Sequence, residues 1–119
     1  MTKILLAEDD DSLRSFLTSA LRRAGHDIQS YEDGDSALAA LEQEVFDLLL
    51  TDIRMPGIDG IELARRGAEL DPAMKIVFIT GFAAVALSNK SNTPAGAKIL
   101  SKPFHLRELV DEVERVMAA

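Results

Sequence analysis

The fold class is decided by residues 46–51, which read Phe46-Asp47-Leu48-Leu49-Leu50-Thr51. A nearly continuous apolar run of this length is typical of a strand that helices cover on both faces of a parallel sheet. The same character is found in residues 76–79, Ile76-Val77-Phe78-Ile79. We therefore predict two central strands, Phe46–Thr51 and Lys75–Thr80.

Outward from these two strands, short apolar runs alternate with longer stretches of helical period. The runs predict further strands at Lys3–Glu8, His26–Tyr31 and Lys98–Ser101. The helical period is clearest after the last strand, where the apolar residues are Leu106, Leu109, Val110, Val113, Val116 and Met117. This alternation predicts an α/β fold with a five-stranded parallel sheet and five helices, one of which would begin within Ala83–Leu87.

Length and composition bound the class of protein. The 119 residues suit a single domain, 1–119, and 47% apolar residues are enough for one hydrophobic core. The net charge of −7 disfavours binding to nucleic acid or anionic lipid, and the lack of cysteine excludes disulfides and thiolate zinc sites. No apolar stretch approaches the roughly 20 residues of a membrane span, and the first residues do not read as a secretory signal. We expect a cytoplasmic protein without an output domain, a nucleic-acid partner or a membrane partner.

Polar side chains follow the predicted strands at the end where parallel sheets bind ligands. Glu8 and Asp9 come at the end of the first strand, and Asp52 follows the third. Thr80 ends the fourth strand, and Lys102 follows the fifth. If these strands are neighbours, three carboxylates, a hydroxyl and an ammonium converge on one edge of the sheet.

The chemistry of such a cluster is specific. Three carboxylates at one place repel one another unless protons or a divalent cation neutralise them. Oxygen-only ligands suit Mg²⁺, which binds through one or two carboxylates together with a phosphate. The Lys102 ammonium and the Thr80 hydroxyl can hold phosphoryl oxygens while a carboxylate acts as the nucleophile. These residue types predict a Mg²⁺-dependent phosphoryl-acceptor site.

Four motifs carry a resemblance to a known family. They are Glu8-Asp9-Asp10, the stretch Thr51–Gly60, Thr80-Gly81 and Lys102-Pro103-Phe104. In this order and at these distances they resemble the receiver domain of two-component response regulators, and the resemblance covers the whole chain. It implies a flavodoxin-like (CheY-like), doubly wound parallel sheet with strand order 2-1-3-4-5, flanked by five helices.

The resemblance also implies which residues hold the metal. Asp52 would be the phosphorylated aspartate and a ligand of Mg²⁺. Asp9 would bind Mg²⁺ directly, and Glu8 would bind it through water. The backbone carbonyl of Arg54 would complete the protein ligands.

Further roles follow from the same resemblance. Thr80 and Lys102 would contact the phosphoryl group, and the Lys102–Pro103 peptide bond would be cis. Many family members carry Tyr or Phe three residues before the site lysine, whereas this chain has Ile99. The usual aromatic switch residue is therefore missing.

The function that the resemblance implies is that of a stand-alone response regulator. A histidine kinase or a histidine phosphotransfer protein would phosphorylate Asp52, and the change would alter a protein-binding face between Ala83 and Met117. The chain would catalyse only its own phosphorylation and dephosphorylation and would not otherwise be an enzyme. The stretch Gly96–Arg107 further resembles the CpdR-type single-domain regulators, which control substrate delivery to the ClpXP protease and cell-cycle proteolysis.

Two alternative functions use the same carboxylate. In the first, the chain is a phosphorelay intermediate that passes the phosphoryl group from Asp52 to a histidine phosphotransfer domain. In the second, it is a haloacid-dehalogenase-like phosphatase, which also uses an aspartyl nucleophile with Mg²⁺. That family requires a second Asp two residues after the nucleophile, and Arg54 occupies this position.

Overall fold

The computed structural model of the chain describes residues 2–81 and 96–118. Strands and helices alternate from the first strand to the fourth, as the sequence predicts. The strands are β1 (Lys3–Ala7), β2 (Asp27–Tyr31), β3 (Leu48–Asp52), β4 (Lys75–Thr80) and β5 (Lys98–Ser101). The helices are α1 (Asp11–Arg23), α2 (Gly34–Gln43), α3 (Gly60–Leu70) and α4 (Leu106–Ala118).

The five strands form one parallel sheet in the order β2-β1-β3-β4-β5. The order 2-1-3-4-5 implied by the family resemblance is therefore confirmed. The register places Ala7 opposite Thr51 and Thr80 opposite Ser101. Strands β1, β3, β4 and β5 consequently end at nearly the same level, and the residues that follow them meet at one edge of the sheet.

Some predicted strand bounds are wrong. β3 begins at Leu48, two residues later than predicted, and it includes Asp52. Phe46 is buried but precedes the strand. Apolarity reports burial and not strand pairing, so it does not distinguish Phe46 from a strand residue. The outer ends of two other predicted strands, Glu8 and His26, also lie just outside the paired residues.

The sheet is covered on both faces, which explains the continuous apolar run of β3. Leu49 packs into a core on the side of α2 and α3, whereas Leu48 and Leu50 pack into a core on the side of α1 and α4. Successive side chains of a strand point to opposite faces, so the three β3 residues that lie between the two cores, Leu48 to Leu50, are all apolar. Each fully buried leucine contributes roughly 1.5–3 kcal/mol to the free energy of folding.

Four helices lie within residues 2–81 and 96–118, whereas five were predicted. The predicted helix start at Ala83–Leu87 lies outside the described residues, as does part of the predicted protein-binding face from Ala83 to Met117. Three helices begin after an aspartate whose side chain accepts a hydrogen bond from the first turn: Asp10 from Leu13 N, Asp33 from Ser36 N and Asp59 from Glu62 N. None of the described helices is both long enough and apolar enough to cross a bilayer.

Candidate functional site

The candidate site lies at the carboxyl edge of the sheet, where four strands deliver polar side chains. Glu8 follows β1, Asp52 is the last residue of β3, Thr80 is the last residue of β4, and Lys102 follows β5. The Lys102 N–H donates a hydrogen bond of 2.8 Å to the carbonyl of Thr80. Pairing between the strands therefore fixes the backbone positions of these four residues relative to one another.

Three carboxylates come together at this edge. Single oxygen atoms of Glu8, Asp9 and Asp52 all lie within 4.8 Å of one another. Glu8 and Asp52 are buried, with 0% and 7% of their surface exposed, whereas Asp9 is exposed. The cluster therefore opens to solvent on the side of Asp9.

Lys102 connects two of the three carboxylates. Its Nζ donates to Asp52 Oδ2 at 3.0 Å and to Glu8 Oε1 at 3.2 Å. Desolvation by itself lowers the pKa of Lys102, but the hydrogen bond to Asp52 and the charges of Glu8 and Asp52 outweigh it, so that the pKa is raised. Lys102 is thus held as an ammonium between the two buried acids.

The Asp52 carboxylate is oriented by its own loop as well as by Lys102. Its Oδ1 accepts a hydrogen bond of 2.7 Å from the N–H of Ile53. Behind it, Gly60 packs so closely that a Cβ at that position would lie 1.8 Å from the carbonyl oxygen of Asp52. The Gly60 N–H also donates to the carbonyl of Ile53 at 2.7 Å. The start of α3 therefore holds the backbone of the loop that follows β3.

The pKa of the buried Glu8 carboxyl is raised. Burial raises the pKa of Glu8 to about 7, and the nearby charge of Asp52 adds to the increase. The Asp10 N–H, which donates to Glu8 Oε2 at 3.1 Å, and Lys102 both act in the opposite direction. A cation next to Glu8 would favour its charged form.

The donor set fits a hard divalent cation. The cluster has three carboxylates and one ammonium, so negative charge remains uncompensated when all four groups are ionised. Oxygen donors with a partly open position are the environment that Mg²⁺ prefers. Glu8, Asp9 and Asp52 are the side chains that would hold it.

The remaining predicted site residues lie near this cluster. Thr80 is fully buried at the end of β4, on the strand next to Asp52. Arg54 is exposed and lies two residues beyond Asp52, in the loop between β3 and α3. The peptide bond between Lys102 and Pro103 is cis, as the resemblance implies.

Sequence reasoning missed the contact that Arg14 makes with the site. Its guanidinium donates to the backbone carbonyl of Glu8 at 2.9 Å. The position of Arg14 in the first turns of α1, directly after the acidic loop, is the only signal that the sequence offers. The contact itself depends on the angle at which α1 leaves the sheet.

Comparison with known proteins agrees with this arrangement. Residues 4–114 match the model of the response regulator receiver domain. The chain is 58% identical to the response regulator receiver protein CpdR of Brucella abortus, over 100% of this chain and 99% of that protein. Seven further curated relatives, 30–34% identical, are longer proteins, and the chain covers only 24–25% of their length.

Solved structures show the same fold. A response regulator receiver protein from Sinorhizobium medicae superposes with a TM-score of 0.91 and 36% identity, over 99% of this chain and 95% of that one. The response regulator TrrA of Thermotoga maritima, solved in complex with Mg²⁺ and BeF, superposes with a TM-score of 0.88 and 30% identity, over 98% and 99% of the two chains.

Proposed function

We propose that this chain, which belongs to the response regulator receiver domain family, accepts a phosphoryl group on the carboxylate of Asp52. A histidine kinase or a histidine phosphotransfer protein is the proposed donor. The observation that carries the proposal is the contact of the Lys102 ammonium with both Asp52 and Glu8, inside a cluster of three carboxylates. An acidic nucleophile beside an ammonium and a divalent-cation site is what phosphoryl transfer to a carboxylate requires.

The proposed step is a single displacement at phosphorus. A carboxylate oxygen of Asp52 forms a bond to phosphorus, the N–P bond of the donor phosphohistidine breaks, and its electron pair stays on the imidazole nitrogen. Mg²⁺, when bound, supplies positive charge that offsets the charges of the acids and of the phosphoryl oxygens. Glu8, Asp9, Asp52 and the backbone carbonyl of Arg54 are its proposed ligands.

Lys102 and Thr80 would stabilise the transferred group. Lys102 Nζ lies 3.0 Å from Asp52, so a small movement takes the ammonium from the carboxylate to a phosphoryl oxygen. Thr80, on the adjacent strand, would donate its hydroxyl to another phosphoryl oxygen. Both donors would then stabilise the negative charge that develops on the phosphoryl oxygens during transfer.

Phosphorylation by acetyl phosphate in the presence of Mg²⁺ tests this function. We expect intact-protein mass spectrometry to detect one added phosphoryl group on the wild type and none on Asp52→Asn. Asp27→Asn is the matched control, since it makes the same change at an exposed position of β2, and it should be labelled like the wild type. Labelling that persists in Asp52→Asn would refute the assignment of the nucleophile.

We further propose that the chain acts as a stand-alone receiver whose phosphorylation switches a protein-binding face and controls ClpXP-dependent proteolysis, and through it the cell cycle. The 58% identity to CpdR over essentially the whole length of both chains supports this finer assignment. Binding of purified ClpX to the immobilised chain, with and without beryllofluoride and Mg²⁺, tests it. We expect the two forms to bind differently, and absence of binding in both forms would remove ClpX as a partner.

A further inference from the structure

Arg14 makes two contacts that link α1 to the acidic loop after β1. Its Nη1 donates to the backbone carbonyl of Glu8 at 2.9 Å, and its Nη2 donates to Asp11 Oδ1 at 2.6 Å. The Arg14 side chain is only 20% exposed, so the guanidinium lies against the protein and not in solvent. A planar guanidinium with two hydrogen-bond partners holds its geometry better than a flexible ammonium does.

The carbonyl of Glu8 lies where the backbone leaves strand β1 and enters the loop that carries Asp9. Strand pairing of β1 ends at Ala7, and the Glu8 N–H makes one more hydrogen bond, of 3.0 Å, to the carbonyl of Tyr31. Beyond it the chain leaves the sheet and carries Asp9 into the candidate metal site. The Arg14 contact is thus made at the residue where the loop begins.

Asp9 depends on this backbone for its position. Within residues 2–81 and 96–118, its carboxylate has neither a hydrogen bond nor an ion pair, although one of its oxygens lies within 4.8 Å of oxygens of Glu8 and Asp52. Like-charged neighbours push such a carboxylate away. The loop backbone must therefore keep Asp9 in the cluster.

We propose that Arg14 is a positioning residue for the metal site: it anchors the carbonyl of Glu8 and so keeps the Asp9 carboxylate within reach of a cation shared with Glu8 and Asp52. This inference rests on the proposed function, because it assigns Arg14 a role at the same Mg²⁺ site. Replacing a residue that orients a metal ligand without itself binding the metal typically lowers the metal affinity by 10–100-fold.

A purely electrostatic role of Arg14 has the opposite consequence. A guanidinium near an acidic cluster repels a divalent cation, so its removal by Arg14→Gln would strengthen Mg²⁺ binding if charge alone mattered. Arg14→Lys would then leave Mg²⁺ binding unchanged, because it keeps the charge. If Arg14 acts by positioning, both variants weaken binding, since neither side chain can donate from two guanidinium nitrogens to the Glu8 carbonyl and to Asp11.

Calorimetric titration of the full chain with MgCl₂ distinguishes the two roles. We expect the dissociation constant of Mg²⁺ to rise about 10-fold in Arg14→Gln and to rise also in Arg14→Lys. Arg23→Gln is the matched control, because it removes the same charge from the last turn of α1 at an exposed position, and it should bind Mg²⁺ like the wild type.

The backbone amide signals of Asp9 and Asp10, recorded by NMR in EDTA, give a readout that does not depend on metal. We expect them to shift or broaden in both Arg14 variants and to stay unchanged in Arg23→Gln. If Arg14→Gln does not fold, Arg14→Lys, which keeps the charge and the helix propensity, carries the test. Unchanged or tighter Mg²⁺ binding in the folded Arg14 variants would overturn the proposal. Wild-type chain that does not bind Mg²⁺ at all would instead overturn the proposed function.

Discussion

The Lys102 ammonium lies 3.0 Å from the Asp52 carboxylate, although 50 positions of sequence separate the two residues. The same nitrogen lies 3.2 Å from Glu8. Bringing charges together in a partly buried place costs desolvation, and removal of one partner leaves the others uncompensated. One ammonium does not balance three carboxylates. Replacing any one of these four charged groups should therefore change the affinity for Mg²⁺ or the stability of the fold.

Replacement of Lys102 separates metal binding from phosphoryl transfer. In Lys102→Ala the carboxylates lose a competing cation, so we expect Mg²⁺ to bind at least as tightly as in the wild type. The phosphoryl oxygens lose a donor, so we expect phosphorylation by acetyl phosphate to slow by about 100-fold. Titration with MgCl₂ and timed mass spectrometry measure the two effects.

The control for this variant is Lys98→Ala, which removes an exposed ammonium from β5. It should change neither the affinity for Mg²⁺ nor the rate of phosphorylation. Loss of Mg²⁺ binding in Lys102→Ala would contradict the prediction, since it would mean that the ammonium supports the cation and does not compete with it.

Replacement of Asp9 should affect the metal and spare the fold. We expect Asp9→Ala to weaken Mg²⁺ binding by roughly 10-fold or more. Its thermal stability in EDTA should not fall, because the exposed carboxylate makes no described hydrogen bond and is repelled by its neighbours. Asp27→Ala, on β2, is the control for the change of residue type. Equal Mg²⁺ affinity in Asp9→Ala and the wild type would remove Asp9 from the ligand set.

The raised pKa of Glu8 predicts a pH dependence of stability in the absence of metal. Below pH 4.5 Glu8 is protonated in both the folded and the unfolded chain; between pH 4.5 and about 7 only the folded chain keeps the proton. Unfolding then releases a proton, so the contribution of Glu8 to the free energy of unfolding falls as the pH rises through this range. The expected loss is on the order of 3 kcal/mol.

Chemical denaturation of the wild type and of Glu8→Gln in EDTA, over this pH range, measures the effect. The variant has no proton to lose at this position, so the difference between the two free energies of unfolding should change with pH. Parallel pH curves for the two proteins would show that Glu8 ionises in the folded chain at its ordinary pKa.

Two glycines of α3 should respond differently to the same substitution. Alanine favours a helix over glycine by up to about 1 kcal/mol. At Gly67 the nearest obstacle to a Cβ is the flexible end of Met74, at 2.8 Å, so Gly67→Ala should be close to neutral. At Gly60 the obstacle is the backbone carbonyl of Asp52, at 1.8 Å. We expect Gly60→Ala to lower the free energy of unfolding by about 1–3 kcal/mol.

Because the obstacle at Gly60 is the backbone of Asp52 itself, Gly60→Ala should also slow phosphorylation by acetyl phosphate, whereas Gly67→Ala should not. Urea denaturation and timed mass spectrometry of both variants measure the two effects. Equal stability and equal labelling of the two variants would show that the loop after β3 tolerates a shift at Asp52.

Much of the fold could be predicted from the sequence, because its signals are local. The apolar run at Leu48–Leu50 indicates a strand between two covered faces, and the structure places Leu49 in one core and its two neighbours in the other. The first residue of β3 could not be predicted, since the buried aromatic ring of Phe46, in the segment before the strand, is as apolar as a strand residue. Pairing between strands is a non-local property, and it decides where β3 begins.

The strand–helix alternation and the acid, hydroxyl and ammonium residues that follow the strands could be predicted from the sequence, because these are properties of residue type and spacing along the chain. The folded chain was needed to show that Lys102 pairs with Asp52 and Glu8, that burial raises the pKa of Glu8, and that Arg14 contacts the carbonyl of Glu8. Distances between side chains far apart in sequence, and the solvent removed from around them, depend on how the sheet and its helices pack together.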